Sequence, residues 1–197
     1  LSKLRIAFFS ANDFETVPEV LGRCPPLEMV GFKSNRIASV PEDSLPERLR
    51  WLILTDNRLS ALPASLGRRH RLRKLMLAGN LLESLPDLSA CESLELVRLS
   101  SNRLPSLPDS LLELPRLAWL AFSGNPFCQE HRPDARSISW RNLSIGDKVG
   151  EGASGVVFRA LLRTPSEERE VAVKVFKGNV TSDGSTRDEE AATLAAG

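Results

Sequence analysis

Two recurrences in the chain predict an α/β solenoid of short parallel strands and return segments, followed by a small antiparallel β-sheet. The first is a set of six asparagines, Asn12, Asn35, Asn57, Asn80, Asn102 and Asn125, spaced 23, 22, 23, 22 and 23 residues apart. The second is the segment Gly150-Glu151-Gly152-Ala153-Ser154-Gly155, which continues as Val156-Val157-Phe158 rather than as helix formers. β-Branched and aromatic residues directly after closely spaced glycines predict a strand there. The chain is long enough for one or two domains, and the two recurrences occupy different parts of it.

Around each asparagine runs the pattern Leu-x-x-Leu-x-Leu-x-x-Asn-x-Leu-x-x-Leu-Pro, clearest as Leu72, Leu75, Leu77, Asn80, Leu82, Leu85 and Pro86. This period and pattern are those of leucine-rich repeats. Six copies are expected over residues 1–128, the first and last atypical or truncated. Each unit has too little apolar surface to fold alone, so stacking must bury the leucines in one continuous core. The asparagine amides are expected to bond backbone groups between turns, a structural role.

Strand alternation separates buried from outward positions. Two columns should face the concave side: Ile6, Met29, Trp51, Lys74, Leu96 and Trp119, then Phe8, Gly31, Ile53, Met76, Arg98 and Ala121. So much apolar and aromatic surface on an exposed sheet predicts a protein-binding face for a substrate or regulator, with Trp51, Met76 and Trp119 as contacts. The basic run Arg68-Arg69-His70-Arg71, Arg73 and Lys74 is read as a solvated face rather than an anion site.

Three cysteines, Cys24, Cys91 and Cys128, have no metal-like spacing, and the first two occupy the same place in the repeat. They are expected to be buried thiols in a reducing, cytoplasmic setting. With 26 basic and 25 acidic side chains the net charge is +1, and nothing in that balance argues for nucleic acid or an anionic membrane. No apolar run reaches the roughly 18 residues of a membrane span. No metal site is expected in the chain.

After Asn125 the repeat fades, and residues 129–137 read as a polar linker. Residues 138–197 open with a strand, Leu143 to Val149, that enters the glycines. The chain then breaks at Thr164-Pro165-Ser166 and returns as Val171-Ala172-Val173-Lys174-Val175-Phe176, giving strand, turn, strand. Asp183-Gly184-Ser185 should break the chain again before the helix formers of residues 188–196.

The three glycines, Val157 two residues after the last, and Val-Ala-Val-Lys ending at Lys174 together resemble the ATP-binding start of a protein kinase. The resemblance implies a truncated kinase small lobe of antiparallel strands plus the start of a helix. It implies ATP held by Val149, Gly150, Gly152, Ser154, Gly155, Val157, Ala172 and Lys174. The glycine backbone would approach the phosphates, the small apolar side chains would wall the adenine, and Lys174 would meet the α- and β-phosphates. Glu190 is the expected carboxylate partner of Lys174, with Leu194 one helical turn further on.

No His-Arg-Asp or Asp-Phe-Gly motif occurs in the chain, so catalytic residues and Mg²⁺ ligands are expected downstream of Gly197, and the chain alone should be inactive. It begins at Leu1 in mid-repeat and looks like an internal piece of a longer protein. The resemblance implies transfer of the γ-phosphoryl of ATP to protein hydroxyls, serine or threonine rather than tyrosine. The alternative is a non-catalytic repeat scaffold carrying a pseudokinase.

Overall fold

The computed structural model describes residues 2–131, 138–152, 155–165, 167–177, 180–181 and 184–185. Six three-residue strands, β1 (Ile6–Phe8), β2 (Met29–Gly31), β3 (Trp51–Ile53), β4 (Lys74–Met76), β5 (Leu96–Arg98) and β6 (Trp119–Ala121), form one parallel sheet in sequential order. Ile6 pairs with Met29, Met29 with Trp51, Trp51 with Lys74, Lys74 with Leu96 and Leu96 with Trp119. Phe8, Gly31, Ile53, Met76, Arg98 and Ala121 align in the same way, so both expected columns are present on one face.

Between them the central residues Ala7, Val30, Leu52, Leu75 and Val97 point into the core. There they meet the leucines that precede and follow each strand, such as Leu49, Leu54, Leu72 and Leu77, all fully buried. Phe9, Phe14 and Phe32 stack at the N-terminal end of this core, with ring centroids 5.0–5.6 Å apart. The return segments are short 3-10 turns, for example Ala64–Arg68, and one four-residue helix, α1 (Asp109–Leu112).

The asparagine ladder forms as the repeat pattern predicts. Asn80 donates to the Leu54 carbonyl at 2.8 Å in the preceding repeat and to Leu77 at 2.9 Å, and accepts from the Leu59 amide at 3.0 Å. Asn35, Asn57, Asn102 and Asn125 bond in the same manner to the repeat before them. Asn12, in the first repeat of the given sequence, bonds within its own turn, to the carbonyls of Phe9 and Ser10.

Every ladder asparagine follows a residue in the left-handed region: Ala11, Ser34, Asp56, Gly79, Ser101 and Gly124, with φ between 55° and 77°. This turn redirects the chain out of the strand so that the asparagine side chain points inward.

A 3-10 segment, Pro126–His131, runs across the expected boundary at 128, with Phe122 and Phe127 stacked 5.6 Å apart. The first residues of the expected linker lie in this segment, and residues 132–137 lie outside the described residues.

Beyond Trp140–Asn142, a 3-10 turn, three strands form an antiparallel sheet: β7 (Leu143–Glu151), β8 (Gly155–Arg163) and β9 (Glu168–Phe176). The strands run longer than their apolar stretches suggested. Arg159, Arg163, Glu168 and Glu170 alternate on an exposed face and still pair in register. β-Bulges interrupt β7 between Ile145 and Lys148 and again before Gly150.

Two further residue pairs, β10 (Val180–Thr181) and β11 (Gly184–Ser185), are antiparallel. The break expected at Gly184 is thus a return into a ladder with Val180 and Thr181. The expected helix over residues 188–196, including Glu190, lies outside the described residues.

Candidate functional site

Two surfaces hold the residues that the sequence marked. On the open face of the parallel sheet, Trp119 is 53% exposed, and Ile6 and Phe8 are open to a similar degree. Trp51 is half-buried, and the Lys74 ammonium sits over its ring, 4.0 Å from the centroid. This cation–π contact fixes the indole and also keeps a positive charge beside it. Met76 and Ile53 are half-buried neighbours on adjacent strands. Trp51 and Trp119 are separated by three strand steps, roughly 14 Å at the usual spacing, so one short segment of a partner could touch both.

Phe8, in the second column, is a further exposed aromatic on this face. Its ring lies over Gly31, where an added Cβ would come 2.6 Å from Phe8 Cδ1. The small residue opposite an exposed aromatic was the available signal.

The basic run does not form one patch. Arg68 lies 4.0 Å from Glu42, Arg69 donates to the Leu45 carbonyl at 2.7 Å, and His70 Nδ1 is 3.0 Å from the Ala90 carbonyl oxygen. Arg71, Arg73 and Lys74 pass instead to the sheet side. Glu42 accepts from the amides of Ala64 and Ser65 at 2.9 and 2.8 Å, which holds its carboxyl below the usual range. Cys24 and Cys91 are buried free thiols, and burial pushes Cys91 up to about 11.

The second surface belongs to the β7–β8–β9 sheet. Directly opposed residues of an antiparallel pair share a face. Gly150 pairs with Val157, Val157 with Lys174, and Arg159 with Ala172. Gly150, Val157, Ala172 and Lys174 therefore lie together on one face. Val149, beside the bulge, is 66% exposed. Lys174 Nζ stands 4.9 Å from the Phe176 ring centroid, two residues along the same face.

The glycines differ in what holds them. An added Cβ at Gly155 would lie 2.6 Å from the Val175 carbonyl oxygen, so close strand pairing requires glycine there. At Gly150 and Gly152 a Cβ would meet nothing within 4 Å. The hairpin closes through the Gly152 amide to the Gly155 carbonyl at 2.9 Å. Between them Glu151 accepts from Lys148 and Lys177, and those two hydrogen bonds lower its carboxyl to about 2. Ser154 and Glu190 lie outside the described residues. Among the described residues no group of three or more His, Cys, Asp or Glu could hold a metal ion, and no helix is long and apolar enough to cross a membrane.

Residues 47–104 match the family described as Leucine rich repeat. Among solved structures the chain is similar to YopM from Yersinia enterocolitica, at 27% identity and a TM-score of 0.54, over 62% of this chain and 25% of that one. The leucine-rich repeat domain of the type III effector XopL superposes with a TM-score of 0.55 at 22% identity, over 66% of this chain and 46% of that one. The Toll–Spatzle complex of Drosophila gives 0.51 at 23% identity, over 64% and 21%. This chain thus spans less than half the length of each of these neighbours. No match to the chain is found among curated proteins. The family match, the parallel register of β1–β6 and the asparagine ladder agree, and the N-terminal unit of this chain is a set of leucine-rich repeats.

Proposed function

We propose that this chain is the recognition and nucleotide-binding part of a cytoplasmic protein kinase. In this reading the open face of β1–β6 docks a protein substrate or regulator, and the β7–β8 hairpin with Lys174 binds ATP. Transfer of the γ-phosphoryl group to serine or threonine is the activity that such a site would serve.

The observation that carries the nucleotide reading is the shared face of Gly150, Val157, Ala172 and Lys174, with open space at Gly150 and Gly152. A triphosphate could approach that backbone and accept its N–H groups. Lys174 would supply a cation to the α- and β-phosphates, while Val149, Val157 and Ala172 would offer the adenine an apolar wall. Mg²⁺ would accompany the nucleotide and neutralise its phosphates. The docking reading rests on the exposed Trp119, Ile6 and Phe8 and on the half-buried Trp51 and Met76. The Toll–Spatzle structure, solved as a complex, is in keeping with a protein partner for such repeats. The free, buried thiols of Cys24 and Cys91 suit a reducing compartment.

Titration of a fluorescent ATP analogue tests the nucleotide site. Lys174→Met should weaken binding by about tenfold or more, the scale of a lost charge-assisted contact, and leave the unfolding midpoint unchanged. Equal binding by the variant would remove Lys174 from the site and the kinase reading with it.

A further inference from the structure

The residues leading into each strand carry charge in a pattern that emerges only with the register of the sheet. One position before the strands stand Arg5, Glu28, Arg50, Arg73, Glu95 and Ala118; three positions before stand Lys3, Pro26, Arg48, Arg71, Ser93 and Arg116. Parallel pairing one repeat apart lines both rows along the same edge. Together they hold seven cations and two carboxylates, in a chain whose net charge is only +1.

Both carboxylates are engaged. Glu28 lies 3.0 Å from Arg5 and 3.5 Å from Arg50, and Glu95 accepts from Arg73 at 2.9 and 2.6 Å. Alternation of sign breaks where Arg50 is followed by Arg73, neighbours through the Arg73 amide and the Arg50 carbonyl at 2.8 Å. Arg71 and Arg116 are exposed and make no hydrogen bond or ion pair with the described residues. Arg50, Arg71, Arg73 and Arg116 line, with Ser93 and the two engaged carboxylates, a groove of about 470 Å³. It borders the apolar columns, since Trp51 follows Arg50 and Lys74 follows Arg73 in the chain.

We infer that this groove and the sheet beside it bind an extended acidic peptide of the protein partner. This rests on the protein-docking reading of the open face. Carboxylates of the peptide meet the guanidinium groups of Arg50, Arg71, Arg73 and Arg116, whose planar forks suit bidentate contacts. Its apolar side chains lie on Trp51, Ile53 and Met76. A peptide fits better than a nucleic acid: Glu28 and Glu95 interrupt the row and would oppose a continuous phosphate backbone, whereas a peptide can set neutral residues opposite them.

Fluorescence anisotropy tests this with the full chain and a labelled peptide of glutamate and leucine. The same peptide with glutamine for every glutamate, and a single-stranded oligothymidylate, serve as comparisons. The glutamate peptide should bind about tenfold or more tightly than the glutamine one, and its affinity should fall with added salt. Arg71→Glu with Arg116→Glu should weaken it by about tenfold or more at an unchanged melting temperature, because neither side chain has a partner to lose. Trp51→Ala should weaken both peptides alike. Equal binding of the two peptides leaves the docking face standing and sinks its preference for acid. Tighter binding of the oligothymidylate, no binding of either peptide, or an inert charge reversal each overturns the inference outright.

Discussion

At the residue scale, the turn before each ladder asparagine sets two needs that different side chains meet unequally. The asparagine must reach a carbonyl and an amide of the preceding repeat, and the residue before it must adopt positive φ. The first need is written in the sequence, because only a short amide both donates and accepts in that geometry. The second is visible only where glycine stands, at Gly79 and Gly124; Ala11, Ser34, Asp56 and Ser101 take the same conformation without announcing it. A left-handed conformation costs a residue with a Cβ roughly 1–2 kcal/mol, and glycine returns part of that through its freer unfolded chain. Ser34→Gly should therefore raise stability by up to about 1 kcal/mol, and Gly79→Ala should lower it by about the same. Thermal unfolding of the two variants measures both signs, and shifts in the same direction would refute the strain argument.

At the element scale, the antiparallel sheet was legible in its middle and not at its ends. Val156-Val157-Phe158 and Val171 to Phe176 declare strands by β-branching. The continuation through Arg159, Arg163, Glu168 and Glu170 is carried by cross-strand pairing of charged residues, which single-strand propensity does not see. The bulges of β7 were equally hidden, yet they leave Val149 exposed beside the glycines. Of the candidate nucleotide residues, Gly150, Val157, Ala172 and Lys174 share a face, and the sequence could not tell which glycine is held by packing. Gly155→Ala drives a Cβ against the Val175 carbonyl and should open the β8–β9 pairing at that end. Gly152→Ala meets nothing and should leave the sheet intact while weakening nucleotide binding. Amide chemical shifts of Val156 and Val175 separate the two: a disturbed sheet in Gly152→Ala, or an undisturbed one in Gly155→Ala, contradicts this assignment.

At the scale of the whole molecule, composition concealed what topology sorts. A net charge of +1 averages over a cationic edge of the repeats, and only the pairing of six strands gathers those cations from four separate repeats. Topology also divides stability unevenly. The continuous buried cluster runs from Ala7 to Leu114, and each inner repeat is covered by its neighbours on both sides. In residues 138–177, by contrast, Ala160 and Leu162 are the buried apolar side chains among those described, while Ile145, Val149 and Val175 are exposed. A three-stranded sheet gains independent stability only when an apolar face is covered, and among the described residues little apolar surface of this sheet is removed from water. Local opening should therefore be much easier in β7–β9 than in β2–β5. Native-state hydrogen exchange should find the amides of Val157 and Val173 exchanging faster than those of Leu52 and Leu75 by about two orders of magnitude or more, since local openings range from near zero to the global unfolding free energy. Matched protection in both sheets would mean that β7–β9 unfolds with the repeats as one cooperative unit, against the division of stability argued from burial.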